Sequence, residues 1–127
     1  MPYYAHVRQD ESGENIYQTV AEHLTGTATL CREFAADFGA EADGELTGLT
    51  HDLGKCTDAF QKRLLEGGPV VDHATAGMLA CIKMKRPSAA ACVAGHHGGL
   101  LDVGNLRTDR AGEATLSGRF KKGMEEH

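Results

Sequence analysis

Glycine and proline divide this chain into short segments, and the spacing of apolar residues within these segments predicts helices. Over residues 16–38, apolar or small residues recur at steps of three or four, and Gly39 is a suitable helix end. This stripe consists of Ile16, Val20, Leu24, Thr27, Leu30, Phe34 and Phe38. Pro87 forces a break farther along the chain. Four further helices are predicted, over 41–53, 57–65, 72–85 and 88–95.

The two ends of the chain have weaker patterns. The first 15 residues are polar and predict an irregular or extended start. Residues 100–118 contain scattered glycines, and their apolar residues show no helical or strand period. A short helix over 116–126 is only weakly indicated, because this segment has few apolar residues. We therefore expect an all-α bundle of about five helices with an irregular C-terminal tail, in a single domain over 1–127.

Composition limits the class of partner. The net charge of −5 does not attract nucleic acid at long range, so an anionic substrate needs metal ions or a local basic segment. No apolar run is long enough for a membrane span, and the start lacks the apolar stretch of a signal peptide. The four cysteines form no CxxC pair. A cytoplasmic protein with reduced cysteines in its core and no membrane partner is expected.

Histidine is the residue type that carries a functional pattern. Of the seven histidines, His6 lies in the polar start and His127 is the last residue, and neither is expected to take part in a site. The other five lie on predicted helices or at their ends, beside apolar or small residues: His23, His51, His73, His96 and His97. Asp52 follows His51 directly. A packing or surface role is the alternative for each histidine singly, but together they favour a metal site.

The chemistry of these side chains limits the metal. Imidazole and carboxylate ligands suit Mn²⁺, Fe²⁺, Co²⁺, Ni²⁺ or Zn²⁺, and Mg²⁺ is less natural beside so many imidazoles. No cysteine stands near these histidines at zinc-finger spacing, so a structural zinc site is not expected. Adjacent helical residues point about a quarter-turn apart. Asp52 is therefore able to share an ion with His51 or to bridge two ions.

The order of these residues resembles the HD superfamily of metal-dependent phosphohydrolases, and most of all the HD nuclease domain of the CRISPR-associated helicase–nuclease. The segments that carry the resemblance are VAEHLTGTATL around His23, LTHDLGKCTDAFQ, DHATAGMLA and AGHHGGL. An HDxGK motif followed by Phe, HxxxG and HHG is much more specific than a lone His-Asp pair. The resemblance covers roughly residues 20–100 and implies an HD-type helical bundle.

The resemblance also implies two divalent transition-metal ions. The ligands of the first ion would be His23, His51 and Asp52. The ligands of the second ion would be His73, His96 and His97, with Asp52 as a bridge. Asp52 and Lys55 would be the catalytic residues, with Lys55 near the scissile phosphate; the alternative for Lys55 is an ordinary cation at a helix C-terminus.

The chain departs from the family pattern in one respect. The family has an aspartate on a later helix that completes the first ion's ligands, whereas only Asp102 and Asp109 follow His97 here, both in the glycine-rich tail. We expect the second ion to be held more firmly than the first. Either this domain is a compact or truncated version, or another chain completes the first site.

The function implied by the resemblance is metal-dependent endo- or exonucleolytic cleavage of single-stranded DNA in CRISPR antiviral defence. Two neighbouring metal ions stabilise both the attacking and the leaving oxygen of a phosphodiester. A CRISPR surveillance complex and a separate helicase are the expected partners, because no GxxxxGK[ST] motif occurs. Two alternatives stay open: an HD phosphohydrolase of nucleotides or cyclic dinucleotides, and an inactive metal-binding module that serves assembly.

Overall fold

The computed structural model describes residues 2–126, which form a helical bundle preceded by a β-hairpin. The elements are β1 (Tyr4–Gln9), β2 (Asn15–Thr19), α1 (Val20–Ala36), α2 (Glu41–Thr50), a 3₁₀ turn (Leu53–Lys55), α3 (Asp58–Glu66), α4 (Thr75–Lys83), α5 (Pro87–Gly95) and α6 (Leu116–Glu126). The two strands are a minor addition, so the all-α class is confirmed. His127 lies outside the described residues.

The hairpin shows that the start, for which the sequence predicted an irregular or extended conformation, is extended and paired. β1 and β2 pair antiparallel, and the Asp10 carboxylate accepts hydrogen bonds from the backbone N–H groups of Ser12 and Glu14 in the connecting turn. Gly13 has a φ of 85° there, a conformation that glycine adopts without steric cost. Side-chain hydrogen bonds and a glycine in the turn stabilise this hairpin, and strands of five or six residues are too short to show a clear alternation of apolar and polar residues.

The first helix begins at Val20, four residues after the start predicted at Ile16. Thr19 and Glu22 form a capping box, in which each side chain accepts from the backbone N–H of the other residue. Ile16 belongs to β2 instead, where it lies opposite Arg8 of β1. The cap decides the boundary because it satisfies helix N–H groups that the pairing with β1 leaves free.

Small residues set the distance between α1 and α2. A Cβ atom on Gly48 would overlap the backbone of Ala28, so the two helices pack with their main chains close together. The buried face of α1 consists of Val20, Leu24, Ala28 and Ala35. Leu30, Phe34 and Phe38 are 52%, 69% and 76% exposed, so the predicted stripe is wrong over its second half.

The main core lies between α4 and α5. Its buried members are Met78, Leu79, Cys81, Ala89, Ala90, Val93 and Ala94. Leu116 and Phe120 of α6 pack against this core. The tail therefore contains a sixth helix, although residues 97–115 have little regular structure apart from an isolated bridge between Asp102 and Thr115. Tertiary packing of these two apolar side chains contributes to the stability of α6, which its sequence only weakly indicates.

The cysteines agree only in part with the expectation that all four are reduced core residues. All four cysteines are free, but only Cys81 is buried, while Cys56 and Cys92 are exposed. The role of small core residue is therefore confirmed for Cys81 alone.

Between residues 2 and 126, no helix has both the length and the apolar character that a bilayer crossing requires.

Two glycine substitutions test the close packing around α4. A Cβ atom on Gly77 would overlap the carbonyl oxygen of Thr50, whereas a Cβ on Gly26, in the exposed part of α1, meets nothing within 4 Å. We expect Gly77→Ala to lower the free energy of unfolding by about 1–3 kcal/mol. Gly26→Ala should raise it by about 0.5–1 kcal/mol through the helix preference of alanine. Urea denaturation measures both, and effects of the same sign would contradict the packing described.

Candidate metal centre

The centre is organised around Asp52, which lies between α2 and the 3₁₀ turn and is only 4% exposed. Histidines from four other parts of the chain approach its carboxylate. His23 is on α1, His51 follows the last residue of α2, His73 precedes α4, and His96 and His97 follow α5. These are the five histidines and the aspartate predicted from the sequence, and the fold brings them together at one end of the bundle.

The first donor group consists of His23, His51 and Asp52, the ligands predicted for the first ion. The Nε2 atom of His23 lies 2.9 Å from Asp52 Oδ2 and 3.0 Å from His51 Nε2. His51 Nε2 is 3.3 Å from the same Oδ2. These three donor atoms are thus mutual neighbours.

The second donor group consists of Asp52, His73, His96 and His97, the ligands predicted for the second ion. Asp52 contributes its other oxygen, Oδ1, which lies 3.2 Å from His96 Nε2 and 3.5 Å from His73 Nε2. His73 Nε2 and His97 Nε2 are 2.6 Å apart. Because the two groups use different oxygens of one carboxylate, the arrangement matches a bridging role for Asp52.

Backbone hydrogen bonds determine which imidazole nitrogen faces Asp52. The Nδ1 atoms of His51, His73 and His96 lie 2.8, 3.3 and 2.7 Å from the carbonyl oxygens of Gly48, Val71 and Val93, respectively. A carbonyl oxygen only accepts, so each Nδ1 carries the proton and each neutral ring presents an Nε2 lone pair toward the carboxylate. Lone pairs that face one another at these distances repel unless a cation lies among them. This is the usual arrangement of metal-binding histidines.

The donor separations also fit metal coordination. With bonds of about 2.1 Å and angles of about 90–110°, ligand atoms around one ion are about 3.0–3.4 Å apart. Most of the distances around Asp52 lie close to this range. Nitrogen and carboxylate donors suit the divalent first-row ions expected from the sequence.

Lys55 is buried beside the same carboxylate. Its Nζ lies 3.0 Å from Asp52 Oδ2 and donates a 3.2 Å hydrogen bond to the carbonyl oxygen of Ala5. The ring of Phe60, the aromatic residue of the HDxGK-Phe pattern, is 5.4 Å from Nζ and 5.3 Å from the ring of His73. Lys55 thereby supplies one positive charge to the centre, and its predicted contact with a phosphate remains a prediction.

Asp52 is ionised in this environment. Burial alone would raise its pKa, but hydrogen bonds from a protonated His51 and from Lys55, and the positive charges of these two groups, hold the pKa far below the ordinary value. Burial likewise lowers the pKa of His23 and of His97, which keeps both rings neutral. For His51, burial opposes protonation, yet the hydrogen bonds with Asp52 and Gly48 outweigh it and raise the pKa.

His6 belongs to the centre, contrary to the expectation that it lies outside any site. Donor atoms of His6, His23 and Asp52 all lie within 4.8 Å of one another. The rings of His6 and His23 meet edge to face, with centroids 4.8 Å apart. The signal in the sequence was slight: the YAHVRQ segment has the length of a short strand, but nothing in it shows where that strand packs.

The two late aspartates do not approach these donors. The Asp109 carboxylate accepts hydrogen bonds from Asn105 N and Thr115 Oγ1, within the tail itself. Asp102 forms an isolated backbone bridge with Thr115. Within residues 2–126, neither aspartate is part of a group that could hold a metal ion.

Comparison with protein-family models agrees with this geometry. The model of the HD domain matches residues 20–121, most of the chain. The protein belongs to the HD domain family. A search of curated proteins gave no match. HD domains bind divalent metals and form a superfamily of metal-dependent hydrolases, so the cluster around Asp52 is the candidate metal centre of this HD domain.

Replacing Asp52 tests its shared position in the HD centre. Asp52→Asn keeps an oxygen acceptor for the buried Lys55, whereas Asp52→Ala would leave that charge unpaired at a cost of about 3–5 kcal/mol. We expect Asp52→Asn to reduce binding at both donor groups, because the negative charge common to them is lost. Metal content after equilibration with Mn²⁺ is the measurement, and Asp58→Asn, at an exposed position on α3, is the matched control. Unchanged metal content in Asp52→Asn would contradict the assignment.

Metal affinity should fall as the pH is lowered, because only neutral imidazole binds an ion. His51 takes up a proton before His23 and His97, since its pKa is raised, while these two stay neutral to a pH below the ordinary value of about 6.5. The loss should begin near neutral pH and continue below about pH 6. Calorimetric titration with Mn²⁺ between pH 5 and 8 measures it; an affinity that is constant over this interval would exclude a histidine-built site.

Proposed function

We propose that this HD domain is a metal-dependent nuclease that cleaves the phosphodiester bonds of single-stranded DNA in CRISPR antiviral defence. The single observation that carries the hydrolytic part is the position of Asp52, whose two carboxylate oxygens face two separate groups of histidines. The choice of DNA rests on the HDLGK, DHATAG and HHG segments and on the shape of the surface beside them.

The chemistry of the centre suits a charged phosphodiester. Divalent ions bound there would neutralise the non-bridging oxygens, supply hydroxide near neutral pH and stabilise the leaving oxygen. The residues of the chain position the ligand atoms. Asp52 sets the separation of the two donor groups, and backbone carbonyl oxygens orient the rings of His51, His73 and His96. Lys55, as the second proposed catalytic residue, adds positive charge next to the position where a phosphate would lie.

A groove beside the second donor group supports the proposal of a strand-like substrate. It has a volume of about 340 Å³ and includes His73 and His97 of the metal centre. Gly98 and Gly99 lie exposed along it, and a Cβ on either would meet nothing within 4 Å, so a ligand backbone can approach closely. Arg119 of α6 and Asp72 also line the groove, so the Arg119 guanidinium is a cation available there and the Asp72 carboxylate offsets part of its charge.

The partners in this proposal are those that single-stranded DNA implies. Duplex DNA must be unwound before a strand enters such a groove, and the sequence has no nucleotide-binding motif of a helicase. A helicase outside residues 1–127 and a CRISPR surveillance complex would supply that strand. The support for these two partners is the resemblance of the sequence motifs to CRISPR-associated nucleases.

Circular single-stranded DNA is the substrate that tests this function. We expect cleavage in the presence of Mn²⁺, Co²⁺ or Ni²⁺ and loss of cleavage with a chelator. Activity should fall by at least about 100-fold in Asp52→Asn, because loss of the shared carboxylate weakens metal binding at both donor groups, and loss of an outer-shell partner of a ligand alone costs about 10- to 100-fold. Asp58→Asn should retain the activity of the original protein. A gel assay separates circular, linear and degraded DNA, and cutting of circles identifies endonucleolytic attack.

The same assay distinguishes the alternatives. Intact circles together with intact linear single strands, with all three metal ions, would refute the nuclease proposal, whereas cleavage of linear strands alone would identify exonucleolytic attack. Hydrolysis of nucleotides or cyclic dinucleotides under these conditions, with DNA left intact, would establish the phosphohydrolase alternative. Metal binding without hydrolysis of any of these compounds would establish the assembly module.

A further inference from the structure

We propose that His6, on strand β1, is a ligand of the first ion and takes the place that a late aspartate has in the family pattern. The proposal rests on the metal-dependent function proposed above, but not on DNA as the substrate. It assigns the N-terminal hairpin to the metal centre, although the matched HD domain begins only at residue 20.

The position of His6 suits a ligand. It offers a nitrogen within 4.8 Å of donor atoms of both His23 and Asp52. His23 and Asp52 are in turn close to His51, with separations of 3.0 and 3.3 Å. His6 would thus raise the protein ligands of the first ion from three to four, the same number as in the second donor group.

A β-bulge turns His6 toward the centre. In the hairpin, Tyr4 lies opposite Thr19 and His6 opposite Gln18, so Ala5 is an extra residue on β1. Ala5 is 1% exposed and packs in a small cluster with Val20 and Leu24. In a regular strand, the residue after Ala5 would point to the opposite face, away from the bundle. The bulge breaks this alternation, and bulges commonly re-aim a side chain beside an active site.

The HD turn itself fixes the strand that carries His6. Lys55 Nζ donates to the carbonyl oxygen of Ala5, the residue before His6. The Gln61 side chain accepts from Tyr4 N at 3.0 Å and donates to Tyr4 O at 2.9 Å, and it also donates to the carbonyl oxygen of Lys55. The backbone around His6 is therefore already ordered, and binding a metal there requires little further loss of conformational entropy.

The late aspartates are poor rivals for the same position. The Oδ2 atom of Asp109 accepts two hydrogen bonds, from Asn105 N and Thr115 Oγ1, and both donors lie in the tail. Moving this carboxylate to the metal centre would leave the two donors without their acceptor. Asp102 is engaged through its backbone with Thr115 and Leu116. His6 needs no such rearrangement.

Metal stoichiometry is the decisive measurement. The full chain and its variants would be equilibrated with Mn²⁺ alone, bound metal counted by native mass spectrometry, and affinities obtained by calorimetry. We expect two ions in the original protein and one in His6→Ala, with the first-ion affinity reduced by more than about 100-fold. Removal of an outer-shell partner of a ligand alone costs about 10- to 100-fold. His6→Phe, which keeps an aromatic ring beside His23 but has no donor nitrogen, should lose the same ion.

Two controls separate ligation from effects on the hairpin or the tail. Gln18→Ala alters the residue opposite His6 and should keep both ions. The combined variant Asp102→Asn/Asp109→Asn should also keep both. Circular dichroism melting of each metal-free variant reports folding, and the His6→Phe result applies if His6→Ala is unfolded.

Several results would overturn the proposal. The first is that His6→Phe binds two ions with unchanged affinity. The second is that the original protein binds one ion whose affinity does not change when His6 is replaced. The third is that an ion is lost in the double aspartate variant and in no His6 variant. Failure of the nuclease function is distinguishable from all of them. If two ions bind and one depends on His6 while DNA stays uncut, the substrate proposal fails and the ligand assignment stands.

Discussion

A buried carboxylate surrounded by imidazole lone pairs is the constraint on which the rest of this structure depends. Removing an ionised Asp52 from water costs several kcal/mol, and the three rings whose Nδ1 atoms donate to backbone carbonyls cannot offset that cost while neutral. Lys55 offsets part of it, at 3.0 Å from one oxygen. Among residues 2–126, the contacts of the other oxygen are with the histidines His96 and His73, so metal cations are the natural counter-charge.

Glycine contacts place the donors with the required accuracy. Gly48 lets α2 approach Ala28 on α1, which brings His51 to His23. Gly54 lies against the backbone of His73 and donates a 3.2 Å hydrogen bond to its carbonyl oxygen. Side chains at these positions would separate the elements by more than the tolerance of metal coordination, which is a few tenths of an ångström. The glycines of the HD motif region therefore serve the chemistry through packing.

The hairpin gives Lys55 a second function. Besides its ion pair with Asp52, Lys55 holds β1 through the carbonyl oxygen of Ala5, and Gln61 from α3 holds the neighbouring residue Tyr4. The strand, the HD turn and α3 thus form one connected unit of hydrogen bonds. A metal ligand on β1 would be supported by the same lysine that pairs with the Asp52 carboxylate, so the electrostatics and the geometry of the centre are coupled.

The sequence by itself determined the donor chemistry and the helical class, because residue identity and helical period are local properties. The sequence alone indicates His23, His51, Asp52, His73, His96 and His97 as candidate ligands. Only the tertiary structure decided that His6 joins them, that Phe34 and Phe38 stay exposed, and that α6 folds onto the core. These outcomes depend on a bulge, on close helix contacts and on packing between distant segments, and a local period contains no information about such distances.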